Sequence, residues 1–187
     1  MSPMPADRPL RAVDVLIVGA GQAGLAAARA LVELGIECVV HERQPRIGDC
    51  WRRRFDSLEL FTPRKLNVLP GLLQHGDPDG YPGKDEMGDY LERYASRFSL
   101  PVVAGNGVVG LRRDADLFIA TLSRGGKLAC RAVIIATGGF QVPRIPGFAR
   151  HLAPQVQQLD GLTYRNPAQV IAHSVMVAGD GATGRQI

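Results

Sequence analysis

The stretch Val13–Arg43, "VDVLIVGAGQAGLAAARALVELGIECVVHER", limits what this chain can fold into more than any other. Val13–Val18 is a short, β-branched apolar run of the kind buried in a parallel sheet. Gly19, Gly21 and Gly24 follow at G-x-G-x-x-G spacing. Gln22–Leu34 is rich in Ala and Leu, which predicts a helix. Gly35 ends it, and Ile36–Val40 reads as a second strand. This is one βαβ unit. In such a unit the first glycine permits the tight turn, the second lets backbone approach a pyrophosphate, and the third lets helix pack on strand. The diphosphate then meets the unpaired N–H groups at the helix N-terminus. Glu42 stands at the end of the second strand, where an acid meets a ribose hydroxyl. A carboxylate there disfavours a 2′-phosphate, so the site suits FAD or NAD rather than NADP.

Arg43–Gly83 is long, aperiodic and rich in Pro, Arg and aromatics; irregular chain of that length inside a domain usually carries function. A helix is predicted over Lys84–Phe98, with Met87, Tyr90, Leu91, Tyr94, Ala95 and Phe98 on one stripe. Asp85 and Glu86 occupy its first turn, where the dipole favours negative charge. Three short runs, "NGVVGLR", "DLFIATL" and "GKLAC", read as an antiparallel meander. "RAVIIATGG" reads as a further buried parallel strand. After the "VPRIPG" loop and weakly structured chain to about His173, "SVMVA" is expected as a final strand. It leads into Gly179, Gly181 and Gly184, a second G-x-G-x-x-G.

Composition excludes several classes. With 45% hydrophobic and 21% charged residues the chain has ordinary globular content. The net charge of +4 is carried mostly by Arg, scattered over several segments. That pattern suits an anionic cofactor or a solvated surface better than nucleic acid. Cys38, Cys50 and Cys130 are unpatterned, which points to a reducing cytoplasm rather than a disulfide framework. Residues 1–12 lack the apolar core of a signal peptide. The Val13–Val40 run carries Gln22, Arg29 and Glu33, so no membrane span is expected. None of His41, His75, His151 and His173 has a metal-like companion at usable spacing. Nothing resembles a Ser–His–Asp set, and no catalytic side chain is assigned.

A βαβ unit, a meander and a strand ending Ala136-Thr137-Gly138, in that order, resemble the two-dinucleotide-binding flavoproteins, which favours FAD at the first site. "ERQPRIGDCWRRRFDSLELFTPRKLNVLPG", "YPGKDEMGDYLERYASRF" and "ATGGFQVPRIPGF" narrow the likeness. Together they resemble flavin-containing monooxygenases, including the bacterial and plant YUCCA-type relatives, over nearly the whole chain beyond the first dozen residues.

The resemblance implies a FAD/NAD(P)-binding, Rossmann-like α/β fold, a doubly wound parallel sheet with a three-stranded antiparallel meander. It implies that Gly19, Gly21, Gln22, Ala23 and Gly24 cradle the FAD diphosphate and that Glu42, with Arg43, holds the adenosine ribose. Cys50 and Trp51 would lie along the flavin, although Trp51 also suits a core position. Val108 would contact adenine through backbone, and Thr137 and Gly138 would pass close to the cofactor. Gly179, Gly181, Thr183 and Gly184 would meet the NADPH diphosphate. For Thr62 and Arg64 a loop-holding role is as good a reading as cofactor contact. The implied reaction has NADPH reduce FAD, which takes up O2 as a C4a-hydroperoxide and oxygenates a small molecule.

Two departures stand out. The family's G-G-x-W is Gly48-Asp49-Cys50-Trp51 here, with a carboxylate near an anionic cofactor. Its F-x-G-x-x-x-H-x-x-x-Y is largely absent: anchored on Tyr164, the Phe, Gly and His positions are Pro154, Val156 and Asp160, with Phe148 out of register. A dithiol relay is not expected, because the position five after Cys50 is Phe55.

The expected organisation is a flexible 1–12, an incomplete FAD-binding domain over 13–165, and the start of an NAD(P)H-binding domain over 166–187. On that reading Arg185–Ile187 begin a helix too short to form alone. The alternative is a FAD-binding module without monooxygenase activity. An exposed sheet edge leaves room for pairing into a homo-oligomer.

Overall fold

The computed structural model describes residues 11–171 and 174–187 of the chain. The expectation of a flexible N-terminus falls, for residues 1–10, outside them, as does His173. In chain order the strands are β1 (Arg11–Val18), β2 (Cys38–His41), β3 (Val102–Val103), β4 (Val108–Asp114), β5 (Leu117–Leu122) and β6 (Lys127–Ile135). The α-helices are α1 (Gln22–Glu33), α2 (Asp49–Arg52), α3 (Lys84–Arg97) and α4 (Ala182–Gln186). They build two compact units: the described chain up to Gly48 with Leu91–Gly138, and Asp49–Tyr90 with Gly139–Ile187.

The first unit is a six-stranded sheet in the order β3-β2-β1-β6-β5-β4. Its first four strands run parallel and the last two antiparallel. β1 sits in the middle, so its side chains are removed from water, with Leu16 and Ile17 fully buried. Leu16, Val18, Val39, Ala120, Leu128 and Cys130 close one core. The expected α/β, Rossmann-like fold is observed, with one correction. "GKLAC" and "RAVII" are not two strands but the single nine-residue β6. No turn-forming residue separates Cys130 from Arg131, so the chain continues straight. Leu128–Cys130 pair with β5 on one side and with β1 on the other. The short β3, not singled out in the sequence, adds to β2.

Register places the site. Val18 pairs with His41 of β2 and Ile135 of β6. The residues that follow, Gly19, Glu42 and Ala136, therefore leave the sheet at one level. The chain winds outward from β1 through β2 to β3 and returns to β6 on the other side of β1. This strand-order reversal is where open α/β sheets bind ligands.

The second unit has little regular structure, yet its irregular chain is tied down. The Tyr90 hydroxyl accepts from the Leu69 N–H at 2.6 Å and donates to the Leu72 carbonyl at 2.8 Å. Phe55 is buried, its ring 6.2 Å from that of Tyr164. The predicted stripe of α3 holds: Met87, Tyr90, Leu91 and Tyr94 are fully buried. In the first unit, Phe98 is half-buried beneath the Arg29 guanidinium at 4.1 Å.

Two expectations for the chain's last residues are corrected. Ser174–Ala178 is not a strand: it pairs with no other described segment and is exposed throughout. A strand exists only as a member of a ladder, and apolar β-branched residues alone do not make one. Conversely, the helical turn after the second glycine loop does form, as α4. Tertiary bonds supply what helix length does not: Gln186 Nε2 donates to the Glu59 carbonyl at 2.8 Å, and Ser57 Oγ donates to the Gln186 carbonyl at 3.3 Å.

Candidate dinucleotide sites

At the end of β1, Gly19 turns the chain with φ +104°, in the left-handed region that L side chains rarely enter. A Cβ there would also lie 2.5 Å from the Ala136 carbonyl oxygen. Gly24 is needed for another reason, since its Cβ would stand 1.9 Å from the Gly19 oxygen. Gly21 differs from both, because a Cβ on it would meet nothing within 4 Å. The protein itself does not require a glycine there, so the open space suits close approach by a ligand. Gly21 is also the N-cap of α1; it offers no side-chain cap, and no acidic residue stands in the first turn. The donors and positive end of a twelve-residue helix thus carry no carboxylate from the helix's own first turn.

Glu42 joins this loop. Its Oε2 accepts from the Ala20 N–H at 2.8 Å, and its Oε1 accepts from the Gln44 N–H at 2.8 Å. The Gly19 N–H donates to the His41 carbonyl at 2.8 Å, and the Ala136 N–H to the Val18 carbonyl at 2.8 Å. Arg43 lies against Gly107, where a Cβ would come within 2.9 Å of the arginine's own Cβ. Val108 opens β4 immediately after, at a register irregularity of the β4–β5 ladder. Thr137 and Gly138 are exposed just beyond β6, with Gly138 at φ +73°. Contacts within the first unit thus join the Gly19–Gly24 loop to Glu42 and to Ala136-Thr137, with Gly138 next in the chain, and join Arg43 to Gly107 beside Val108. His41 is buried with its Nδ1 2.7 Å from the Asn106 carbonyl, a satisfied structural histidine.

Cys50, Trp51, Thr62 and the second glycine loop belong to the second unit. Cys50 and Trp51 lie on α2, the first exposed and the second half-buried. The carboxylate of Asp49, out of place by family pattern, is compensated: Arg52 reaches it at 3.4 Å and Asp89 at 2.7 Å. Thr62 Oγ1 donates to Asn67 Oδ1 at 2.5 Å. Arg64 holds Glu86 at 2.7 Å and donates to the Asp77 carbonyl. Both side chains are thus engaged in holding the loop. Asp160 accepts from the Leu162 and Thr163 N–H groups at 2.7 and 3.1 Å, a turn-forming role.

The second loop repeats the first in backbone terms. Gly179 has φ +129°, Gly181 caps α4 with φ −79° and ψ 176°, and a Cβ on Gly184 would lie 2.2 Å from the Gly179 oxygen. Gly21 caps α1 at φ −79° and ψ −171°.

Burial pushes the thiols of Cys38 and Cys130 up, so neither is primed as a thiolate. Phe55, where a second redox thiol would stand, is packed in the core. No metal-binding cluster is found among the described residues, and no helix there is long and apolar enough to cross a membrane. Sequence reading overlooked Asn106, whose only advance signal was an Asn flanked by two glycines before a strand.

Known proteins match this arrangement. Residues 16–184 match the family described as pyridine nucleotide-disulphide oxidoreductase. The chain is 46% identical over 175 residues to an uncharacterized CzcO-like oxidoreductase of Geobacillus kaustophilus, covering 94% of this chain and 50% of that protein. It is 32% identical over 180 residues to indole-3-pyruvate monooxygenase YUCCA1 of Oryza sativa subsp. japonica, covering 92% and 43%. The chain thus spans about half the length of these curated relatives. Among solved structures, the flavin-containing monooxygenase of Stenotrophomonas maltophilia superposes with a TM-score of 0.68 at 28% identity, covering 73% of this chain and 42% of that one. Loop geometry, strand order and these likenesses agree: the chain belongs to the pyridine nucleotide-disulphide oxidoreductase family and is flavin-monooxygenase-like in sequence and fold.

Proposed function

We propose that this chain is the FAD-holding part of an NADPH-using monooxygenase that oxygenates a small molecule with O2. The observation that carries the reading is the first glycine loop. Its open Gly21, its acid-free helix start and its Glu42 brace fit the diphosphate and ribose of FAD. Gly19, Gly21, Gln22, Ala23 and Gly24 would present backbone N–H groups to the diphosphate. Each Glu42 oxygen accepts one bond and keeps acceptor capacity for a ribose hydroxyl. Arg43 and Val108 would flank the adenosine, with Thr137 and Gly138 beside them.

For Cys50 and Trp51, on α2, the family likeness supports a role at the flavin. Gly179, Gly181, Thr183 and Gly184 would serve NADPH, a reading supported by their repeat of the first loop's geometry. FAD, when bound, supplies the redox chemistry between NADPH and O2. The residues of this chain bind and orient. The names of the rice and Stenotrophomonas relatives support oxygenation as the reaction class.

A second reading, a FAD-binding module without NADPH turnover, is favoured by the unpaired and exposed Ser174–Ala178. Purified chain titrated with FAD tests the first step, and a flavin absorption band that co-elutes with the protein is expected. Absence of bound flavin at every concentration tried would overturn both readings. NADPH consumption in air, with and without FAD, then separates the monooxygenase from the module.

A further inference from the structure

Asn106 stands where three segments of the first unit converge. Its N–H donates to the Glu42 carbonyl at 3.0 Å, and its carbonyl meets His41 Nδ1 at 2.7 Å. Its side-chain Oδ1 accepts from the Arg124 N–H at 3.0 Å and from Ser123 Oγ at 3.5 Å. Its neighbours, Gly105 and Gly107, are the residues with the most backbone freedom to lose. The Gly105 N–H donates to the Gln44 carbonyl at 2.7 Å, and the Ser123 N–H to the Gly107 carbonyl at 2.8 Å. Within "GNG" the Asn side chain is therefore the one side-chain anchor, and it reaches the β5–β6 turn.

We propose that Asn106 is a positioning residue for the adenosine end of the FAD site, acting through Glu42 and the Ser123–Arg124 turn without touching the cofactor. The inference rests on the FAD reading above. The carboxylate of Glu42 braces the first glycine loop, and the Glu42 backbone carbonyl accepts from the Asn106 N–H, whose position the side-chain bond to the Ser123–Arg124 turn fixes. Val108 follows two residues later on the same segment. Removing Oδ1 leaves only the backbone bonds of Gly105–Gly107 to order this loop, so the share of the ordering that the side chain provides in advance must occur when cofactor binds. Ser123 and Arg124 are exposed and would turn to water instead, so folding stability changes little.

The test compares wild type, Asn106→Ala and Asn106→Asp for binding of FAD and of ADP, the latter reporting the adenosine diphosphate end alone. Melting temperatures are measured without ligand. Asn106→Ala is expected to weaken FAD and ADP alike by about fivefold, the worth of one or two such bonds, with melting held within about 2 °C. Asn106→Asp keeps the acceptor oxygen and is expected to stay within about twofold of wild type. The proposal is overturned by unchanged FAD affinity in Asn106→Ala, by a loss for FAD without one for ADP, or by an Asp variant as weak as the Ala variant. A melting loss that matches the affinity loss, or failure to fold, would also overturn it by showing a general structural role. Wild type that binds no FAD would instead bring down the FAD reading itself.

Discussion

The two glycine loops of this chain have nearly the same backbone and very different support. Gly19–Gly24 and Gly179–Gly184 share a left-handed first glycine, an extended N-cap glycine and a third glycine too close to the first for a Cβ. The first lies between a central, buried strand and a twelve-residue helix, and is braced by Glu42. The second follows unpaired chain and opens a five-residue helix held by Glu59, Ser57 and the Arg185–Asp180 pair. The comparison teaches that G-x-G-x-x-G encodes a local turn. Whether the turn becomes a rigid cradle depends on what is packed behind it.

The largest expected effect breaks the likeness at its closest point. Gly24→Ala places a Cβ 1.9 Å from the Gly19 oxygen, at a buried position in the first turn of α1. It is expected to lose about 3 kcal/mol in chemical denaturation. Gly184→Ala meets a similar clash at 2.2 Å, but against Gly179, which is exposed and can shift. Its cost to global unfolding is expected below about 0.5 kcal/mol. Equal losses would show that the two loops are equally integrated.

Next in size is the brace. Glu42→Gln replaces charge-assisted bonds to the Ala20 and Gln44 N–H groups with neutral ones and presents an amide where the ribose would sit. About 2 kcal/mol of FAD affinity, roughly thirtyfold, is expected to go, read by flavin titration.

A milder effect is expected from acid in the second unit. Glu86 is partly desolvated, which works to raise its pKa. Bonds from the Gly83 N–H and the Arg64 guanidinium outweigh this and hold it below its ordinary value of 4.5. A depressed carboxylate stabilises above its unfolded value and loses that contribution as pH falls through the folded one. Melting measured below about pH 4.5 is therefore expected to fall less steeply in Glu86→Gln than in wild type. The difference should be no more than about 1 kcal/mol, because the pair is half exposed.

The smallest effect belongs to Asp180→Asn. Arg185 holds the Asp180 carboxyl below the usual range, yet both groups are fully exposed. No measurable change in melting is expected. Salt is expected to mimic the substitution by reducing protection of the α4 amides in hydrogen exchange.

Much of the first unit was legible in the sequence because its signals are local and mutually consistent. Val13–Val18, the glycine spacing, the Ala/Leu-rich helix and Glu42 each specify one step of a βαβ unit, and the steps agree. The stripe on α3 was legible for the same reason: period 3.6 survives any tertiary context that buries one face. Where the reading failed, the deciding partner lay far along the chain. β6 read as two strands because its halves have different neighbours, and only register shows that one strand serves both. "SVMVA" read as a strand from composition, but strand formation needs a ladder that composition does not contain. Asp49 read as an intruding charge, and the compensating Arg52, itself held by Asp89, emerged only when α2 and α3 were folded.

By itself the sequence determined that this chain makes tight glycine turns after apolar runs, with an acid at ribose spacing after the first. Those properties arise from backbone sterics and periodicity within about thirty residues, which no distant contact has to supply. Tertiary structure alone decided which of the two turns is buttressed, and that Asn106 ties the ribose acid to the β5–β6 turn. The reason is physical: hydrogen bonds across 18 or 22 residues, such as Arg124 to Asn106 and Ala20 to Glu42, are set by sheet register. Register is a property of strands packed together, and no single strand carries it.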